Sequence, residues 1–345
     1  MAGPGDVTGD GVPDFLVASL APPDLYSGAT GTLAYSLPPV YTVPVVGAPG
    51  DTNWDAVPDL LVGYPGYGNG VAFLYSGIDG SLLQSLPAVP GPGCDQLGYA
   101  VAGIGDIDGD GAGDVVLGAP HNGSSCTPTP GTAHVYSGGT GSLLAVVTGP
   151  TALFSQFGSV VAGLGDVSGD GVPDFAVNGG LVTFGPPLPP PQIWVFSGAD
   201  FSLVTLLTGQ VGEGLGRSLA GPGDVDGDGV PDLFTGAPNA DPSSTSGYAG
   251  RAALFSGDDW SEIYSLTPPP GEFLNQGWSV CGSDDVDSDG FPELAVGAPG
   301  SPYFVTGKVR LYSGSPIGVS SFGTGCAGAM GVPRMGATRS PKVGT

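Results

Sequence analysis

Four carboxylates lie within nine residues in the stretch Asp224-Val-Asp226-Gly-Asp228-Gly-Val-Pro-Asp232, at positions 1, 3, 5 and 9 of a loop whose sixth residue is Gly229. Glycine at that point admits φ > 0, so the backbone can turn back and aim the carboxylates at one point. With no Lys or Arg beside them, such a group repels itself unless a cation lies among it. Many oxygen donors on a flexible, Gly-rich loop suit Ca²⁺, with its higher coordination number, before Mg²⁺. The same pattern begins again at Asp6, Asp51, Asp106, Asp166 and Asp285, so successive starts are 45, 55, 60, 58 and 61 residues apart. One such loop could be an ordinary polar turn; six in register are a repeat.

Read as ligand sets at positions 1, 3, 5, 7 and 9, the candidates are as follows. Loop one offers Asp6, Thr8, Asp10, Val12 and Asp14, and loop two offers Asp51, Asn53, Asp55, Val57 and Asp59. Loop three offers Asp106, Asp108, Asp110, Ala112 and Asp114, and loop four Asp166, Ser168, Asp170, Val172 and Asp174. Loop five offers Asp224, Asp226, Asp228, Val230 and Asp232, and loop six Asp285, Asp287, Asp289, Phe291 and Glu293. Up to six Ca²⁺ ions are expected. Affinity follows ligand charge, so loops three and five should bind most tightly, with loop six close behind because Glu293 replaces Asp. Thr8 and Ser168 leave loops one and four a charge short. Loop two is expected to be the weakest or empty: it has Asn53 at position 3 and Ala56 at position 6, where left-handed geometry costs a non-glycine residue energy.

The flanks decide what carries these loops. An EF-hand requires a bidentate Glu at position 12 and a following helix. Position 12 here is Val17, Val62, Leu117, Val177, Thr235 and Val296, inside short apolar runs that end in Gly or Pro. Such runs are buried strands. Each loop therefore joins two strands of a hairpin. In the fourth repeat a strand before the loop (157–163) and one after it (175–177) are followed by Ile193-Trp194-Val195-Phe196-Ser197-Gly198 and a fourth strand, 203–207. The third-strand signature recurs as LYSG, LYSG, VYSG, VFSG, LFSG and LYSG, beginning at Leu25, Leu74, Val135, Val195, Leu254 and Leu311. Four strands per repeat, six times over, point to an all-β propeller of six four-stranded blades, with a seventh left open; radial packing buries both faces of a blade and protects most edges.

Composition agrees. Gly and Pro supply 101 of 345 residues, a share that without a period would signal disorder and with one marks turns between short strands. A net charge of −25 argues against nucleic acid or an anionic membrane surface as a partner. Of the 32 acidic residues, 21 sit at loop positions 1, 3, 5 and 9, and six bound dications would bring the charge to −13. No apolar stretch approaches the roughly 18 residues of a membrane span.

The Phe-Gly ahead of loop four (Phe157-Gly158, with Leu97-Gly98, Leu215-Gly216 and Gly277-Trp278 as weaker versions) and the Gly-Ala-Pro after loops three, five and six (118–120, 236–238, 297–299) resemble FG-GAP repeats, as found in the integrin α-subunit propeller and in secreted bacterial proteins. The resemblance spans about residues 1–314. It implies a calcium-bearing propeller, usually of about seven blades, used outside the cell or at its surface for adhesion or recognition, with an extracellular protein or glycan as partner. It does not by itself make the chain an integrin subunit.

Met1 aligns with an interior position of the repeat, and neither a charged n-region nor an apolar h-region opens the chain. The chain is thus expected to begin inside a blade whose first strand is missing. Ser320–Gly328 matches 155–163 at Ser, Phe, Gly, Ala and Gly and could supply that strand as a clasp. Residues 1–329 are assigned to the propeller and 330–345 to a loose tail.

Cys94 and Cys126 fall in connections on one face and are expected to form a disulfide; Cys281 is expected to be a small buried residue, and Cys326 has no identifiable partner. Catalytic signatures are missing. His121 and His134 lack a paired nucleophile, no Ser occupies a G-x-S-x-G elbow, and no P-loop occurs. The carboxylates are accounted for by the loops, so no enzyme activity is expected. Asn122-Gly-Ser124 is a formal glycosylation sequon. A partner is expected on the face opposite the cation loops, among the connections 121–130, 185–192 and 239–249, with Tyr64, Tyr67, Phe184, Tyr248 and Phe273 as aromatic candidates. Two other readings remain open: a carbohydrate-binding or polysaccharide-degrading propeller, and a structural repeat domain of a larger protein.

Overall fold

The computed structural model describes residues 1–18, 22–39, 42–88, 95–120, 130–149, 156–179, 190–240, 249–269, 272, 275–283, 285–286, 288–299 and 307–314, and the backbone alone of 320–327. Its 24 strands form six four-stranded antiparallel sheets, each a simple meander. Blade one holds β1 (Ala2–Gly5), β2 (Asp14–Val17), β3 (Asp24–Tyr26) and β4 (Leu33–Ser36), and blade two β5 (Val45–Gly50), β6 (Asp59–Tyr64), β7 (Val71–Tyr75) and β8 (Leu82–Pro87). Blade three holds β9 (Ala100–Gly105), β10 (Asp114–Ala119), β11 (Thr132–Tyr136) and β12 (Leu143–Thr148), and blade four β13 (Val161–Gly165), β14 (Asp174–Gly179), β15 (Gln192–Phe196) and β16 (Leu203–Thr208). Blade five holds β17 (Ser218–Gly223), β18 (Asp232–Ala237), β19 (Arg251–Phe255) and β20 (Glu262–Leu266), and blade six β21 (Ser279–Ser283), β22 (Glu293–Ala298), β23 (Gly307–Ser313) and β24 (Ser320–Ala327).

The first strands of consecutive blades, β1, β5, β9, β13, β17 and β21, pack side by side and form the inner wall. The second strand of a blade lies between two sheet neighbours and is covered on both faces, so it reads as an unbroken apolar run rather than an alternating one. Every residue of β6, β10, β14 and β18 is buried. The core is a series of junctions between blades. Leu16 and Leu25 meet Leu60 and Val62, Leu61 and Leu74 meet Val115 and Leu117, and Val116 and Val135 meet Phe175 and Val177. Ala176, Ile193 and Val195 meet Leu233, and Phe234 and Leu254 meet Leu294 and Val296.

Packing also explains the two glycines that name the repeat motif. A Cβ on Gly118 would lie 1.8 Å from the carbonyl oxygen of Gly158 in the next blade, and one on Gly236 would lie 1.8 Å from that of Gly277. Only glycine lets the two backbones approach so closely. In the fourth repeat Asn178 takes the first of these places, and its side chain accepts the N–H of Val160 at 2.8 Å. Gly277 therefore corresponds to Gly158, and the matching pair in blade six is Gln276-Gly277, a register one residue earlier than the Gly277-Trp278 expected from sequence. Gln276 stands where the other blades bury Leu97, Phe157 and Leu215. Its amide remains satisfied there, donating to the Leu266 carbonyl at 2.8 Å and accepting from Arg310.

The ends of the chain differ from the sequence expectation. Blade one has its own first strand, β1, with Gly5 opposite Asp14. Residues 320–327 are the outer strand of blade six, with Thr324 opposite Arg310, so the clasp does not form. The alignment with 155–163 matched Ser, Phe, Gly, Ala and Gly, the first four of which β24 carries although the other five outer strands contain no glycine. Among the described residues, β21 and β1 do not pack together as the other inner strands do. The faces on either side of this seam are correspondingly less covered. Val309 of blade six is 42 % exposed, whereas its counterparts Ala72, Ala133, Ile193 and Ala252 are fully buried. On blade one, Phe15 and Tyr26 stack on each other and are half-buried, where Leu60, Val115, Phe175 and Leu233 are enclosed. Cys281, expected to be buried, is exposed on the same open side of blade six.

Candidate metal centres

Each candidate cation loop joins the first and second strands of its blade at the same end of the sheet. The turn is tight because positions 4 and 6 both adopt left-handed backbone. Position 6 has φ of 86° at Gly11, 87° at Gly111 and 94° at Gly229, and Ala56 is held at 65°. Position 4 is Gly in four loops, Trp54 (φ 64°) in loop two and Ser288 (φ 63°) in loop six. The sequence reading had singled out position 6 alone.

The carboxylates are organised by backbone N–H groups, each position in its own way. In loop three, Asp106 accepts from Gly109 at 2.7 Å, from Asp110 at 3.1 Å and from Gly111 at 2.9 Å. Asp108 accepts from Asp110 at 3.1 Å, and Asp110 from Ala112 at 2.7 Å. Asp114, fully buried, accepts from Ile107 at 2.8 Å and from Asp108 at 3.2 Å on one oxygen, and from Gly138 at 3.0 Å on the other. Loop five repeats this arrangement, with Asp232 accepting from Val225 at 2.8 Å and Gly257 at 3.2 Å. Position 9 is thus a clasp between the loop and the turn after the third strand as well as a candidate ligand. At position 7 the described contact is the amide, which donates to the position-5 carboxylate in every loop.

Sequence reasoning missed the serine of the third-strand signature. Ser27, Ser197, Ser256 and Ser313 donate to the position-5 carboxylates of their blades, at 2.9 Å to Asp10, 3.1 Å to Asp170, 3.3 Å to Asp228 and 2.8 Å to Asp289. The signal was present, since Ser-Gly recurs in step with the loops; it had been read only as a strand end.

Carboxylate oxygens converge to within 4.8 Å of one another in three sets: Asp106, Asp108 and Asp114; Asp224, Asp226 and Asp232; and Asp285, Asp289 and Glu293. These are loops three, five and six. Asp287 lies outside the described residues. In loop one the Thr8 hydroxyl stands at position 3 and donates to Asp10 at 3.1 Å. In loop two the Thr52 hydroxyl donates to Asp59 at 2.6 Å and the Asn53 oxygen accepts from the amide of Asp55. In loop four Asp174 accepts from Val167 and Ser168.

Burial pushes the carboxyl of Asp232 up to about 7 and that of Asp114 up to about 6, and it raises Asp59 and Asp174 as well. Hydrogen bonds from the backbone lower these values but do not offset the desolvation. The four basic side chains among the described residues are elsewhere. Arg251 pairs with Glu213 and Glu262, and Lys308 and Arg310 pair with Glu272, while Arg217 lies 4.6 Å over the Trp278 ring. An all-oxygen donor set, held in place and short of positive charge, fits a hard dication.

The other sequence candidates fare unevenly. Tyr64 is wholly buried between blades one and two and is a core residue, not a recognition residue. Tyr67 is 57 % exposed; Phe184, Tyr248 and Phe273 lie outside the described residues. His134 lies on the third strand of its blade, β11, buried against Tyr136, with Nε2 3.0 Å from the Thr132 hydroxyl. His121, Cys94, Cys126, the 122–124 sequon and 330–345 lie outside the described residues.

Comparison with known proteins agrees with the repeat and the fold. A family model for the FG-GAP repeat matches residues 215–255 and 276–312, blades five and six. Integrin alpha-5 of Xenopus laevis is 31% identical over 175 residues, covering 48% of this chain and 16% of that protein. Integrin alpha-V of Gallus gallus is 28% identical over 252 residues, 68% of this chain and 22% of that protein. The match thus spans about a sixth to a fifth of these relatives' length. Among solved structures, the Dos1 propeller superposes with a TM-score of 0.50 at 10% identity, covering 87% of this chain and 63% of that one, a likeness of fold.

Proposed function

We propose that this chain, an integrin-like FG-GAP β-propeller, is a calcium-binding recognition module that works outside the cell or at its surface and carries out no catalysis. Its loops would hold Ca²⁺ through the side chains at positions 1, 3, 5 and 9, with the position-7 backbone as a further donor. The ions would neutralise the buried position-9 acids and fix the turns that tie the first, second and third strands of a blade together. Loops three, five and six come first in this reading and loop two last, where Asn53 replaces an acid and Ala56 replaces the position-6 glycine. The ions would stiffen the scaffold while the opposite face, free of these loops, meets a protein or glycan partner. The observation that carries the reading is the convergence of three carboxylates in loops three, five and six on a fold whose repeats match integrin α chains.

A glycan array and a pull-down against extracellular proteins, each with calcium and with chelator, test the proposal. Saturable binding to one class, lost on chelation, is the expected result. Turnover of a bound polysaccharide, or the same weak retention of every ligand with and without calcium, would contradict it.

A further inference from the structure

Neighbouring cation loops touch in one of two ways. At four of the five packed junctions the contact is apolar: the proline at position 8 of the later loop rests on the glycine that precedes the earlier one. Pro58 lies against Gly5, Pro173 against Gly105, Pro231 against Gly165 and Pro292 beside Gly223. Between loops two and three this contact is missing, and among the described residues a Cβ on Gly50 would meet no atom beyond its chain neighbours within 4 Å.

Hydrogen bonds replace it. Position 8 of loop three is Gly113, and the N–H that a proline would lack donates to the carbonyl oxygen of Asp51 at 2.7 Å. From the other side, Trp54 Nε1 donates to the carbonyl oxygen of Asp110 at 3.1 Å. The indole fills a slot formed by two glycines: a Cβ on Gly139 would meet the ring at 2.6 Å, and one on Gly111 would lie 3.5 Å from Nε1. Asp51 is position 1 of loop two and Asp110 is position 5 of loop three, so each bond ends on the backbone carbonyl of a candidate ligand residue in the neighbouring blade.

Trp54 is otherwise hard to account for. It occupies the left-handed position 4, where four of the six loops have glycine, and a bulky side chain is strained there. It is 55 % exposed and fills no core. What it gains is the slot on loop three.

We propose that Trp54 couples the second and third cation loops, so that an ion held in loop three favours an ion in loop two and, by reciprocity, the reverse. This rests on the reading that the loops bind calcium. Loop three carries acids at positions 1, 3, 5 and 9, and their mutual repulsion is relieved when an ion is bound. The Asp110 carbonyl, Gly111 and Gly139 then hold the slot in place, and the seated indole fixes the turn that presents Asp51, Asn53 and Asp55. Loop two, with Asn53 for an acid and Ala56 for a glycine, is the loop least able to set itself.

The test is calcium titration of the full chain by calorimetry and by tryptophan emission, in wild type, Trp54→Gly, Trp54→Phe and Asp108→Asn. Trp54→Gly restores the residue found in four other loops and removes no ligand. Asp108→Asn gives loop three the position-3 residue that loop two already carries, so both variants are compatible with the fold. The Trp54 part of the emission, taken as wild type minus Trp54→Phe, is expected to change at the calcium concentration that fills loop three. That change should move to higher calcium in Asp108→Asn, and Trp54→Gly should weaken the loosest calcium step, the one assigned to loop two, about fivefold or more. Calcium uptake with every step unchanged in Trp54→Gly overturns the coupling alone. A wild-type chain that takes up no calcium overturns the coupling together with the reading beneath it.

Discussion

Gly118→Ala tests the blade-to-blade packing at its tightest point, and Gly297→Ala is its internal control. A methyl group on Gly118 would stand 1.8 Å from the carbonyl oxygen of Gly158 in the next blade and 3.3 Å from the Ala100 side chain. Contact at about 3.4 Å is the closest that packing tolerates without strain, so blades three and four would have to part by more than 1 Å along β9 and β13. That displacement loosens the junction of Val116 and Val135 with Phe175 and Val177. Overpacking of this kind costs about 3 kcal/mol. A chain of 345 residues unfolds with an entropy near 0.7 kcal/mol per kelvin, so the melting temperature should fall by about 4 °C. Gly297 is the equivalent residue of blade six, and among the described residues the three atoms nearest a Cβ there all belong to Ser279 of its own blade, the closest being the hydroxyl at 2.2 Å, which can rotate away. Gly297→Ala should cost under about 1 kcal/mol, or roughly 1 °C. Differential scanning calorimetry with saturating calcium reads both. Equal losses in the two variants would refute the argument that the glycines serve the junctions and that the seam beside blade six is open.

Two further outcomes follow from the loops. In chelator, the acids whose carboxyls burial raises above the unfolded value of about 4 contribute stability that is fully present below that value and lost as pH climbs through 6 to 7. The calcium-free protein should therefore melt higher at pH 5 than at pH 7.5, and saturating calcium should reverse that order because the ions require ionised carboxylates; a calcium-free protein that is more stable at pH 7.5 would contradict this. Asp108→Asn, which removes one charge but retains an acceptor for the Asp110 amide, should weaken one tight calcium step about tenfold in titration calorimetry while leaving the melting point in chelator within about 1 °C.

Much of this was legible in the sequence because the repeat supplies independent copies of each feature. Six loops in register located the first hairpin of every blade, and position 12, apolar or Thr in each repeat, ruled out a helix. Two kinds of feature escaped. Contacts between blades have no local pattern, so the Gly118 and Gly158 carbonyl approach, the burial of Tyr64 and the exposure of Cys281 depend on which blade lies alongside. Residues with two roles were assigned only one: the Ser-Gly of the third strand marks a strand end and also donates to the loop, and position 9 was read as a ligand without its part as a backbone clasp. Blade six misled for a chemical reason, because Gln276 fills an apolar place by pairing with Arg310 and shifts the apparent position of the motif by one residue.

The most direct measurement is the melting temperature of the full chain across a calcium titration started from chelated protein. An ion at about one hundred times its dissociation constant adds about 2.7 kcal/mol. Filling loops three, five and six should therefore stabilise the propeller by about 8 kcal/mol, raising the melting point by about 12 °C. A melting point that does not move between chelator and millimolar calcium would contradict the claim that these acid clusters are built to hold cations.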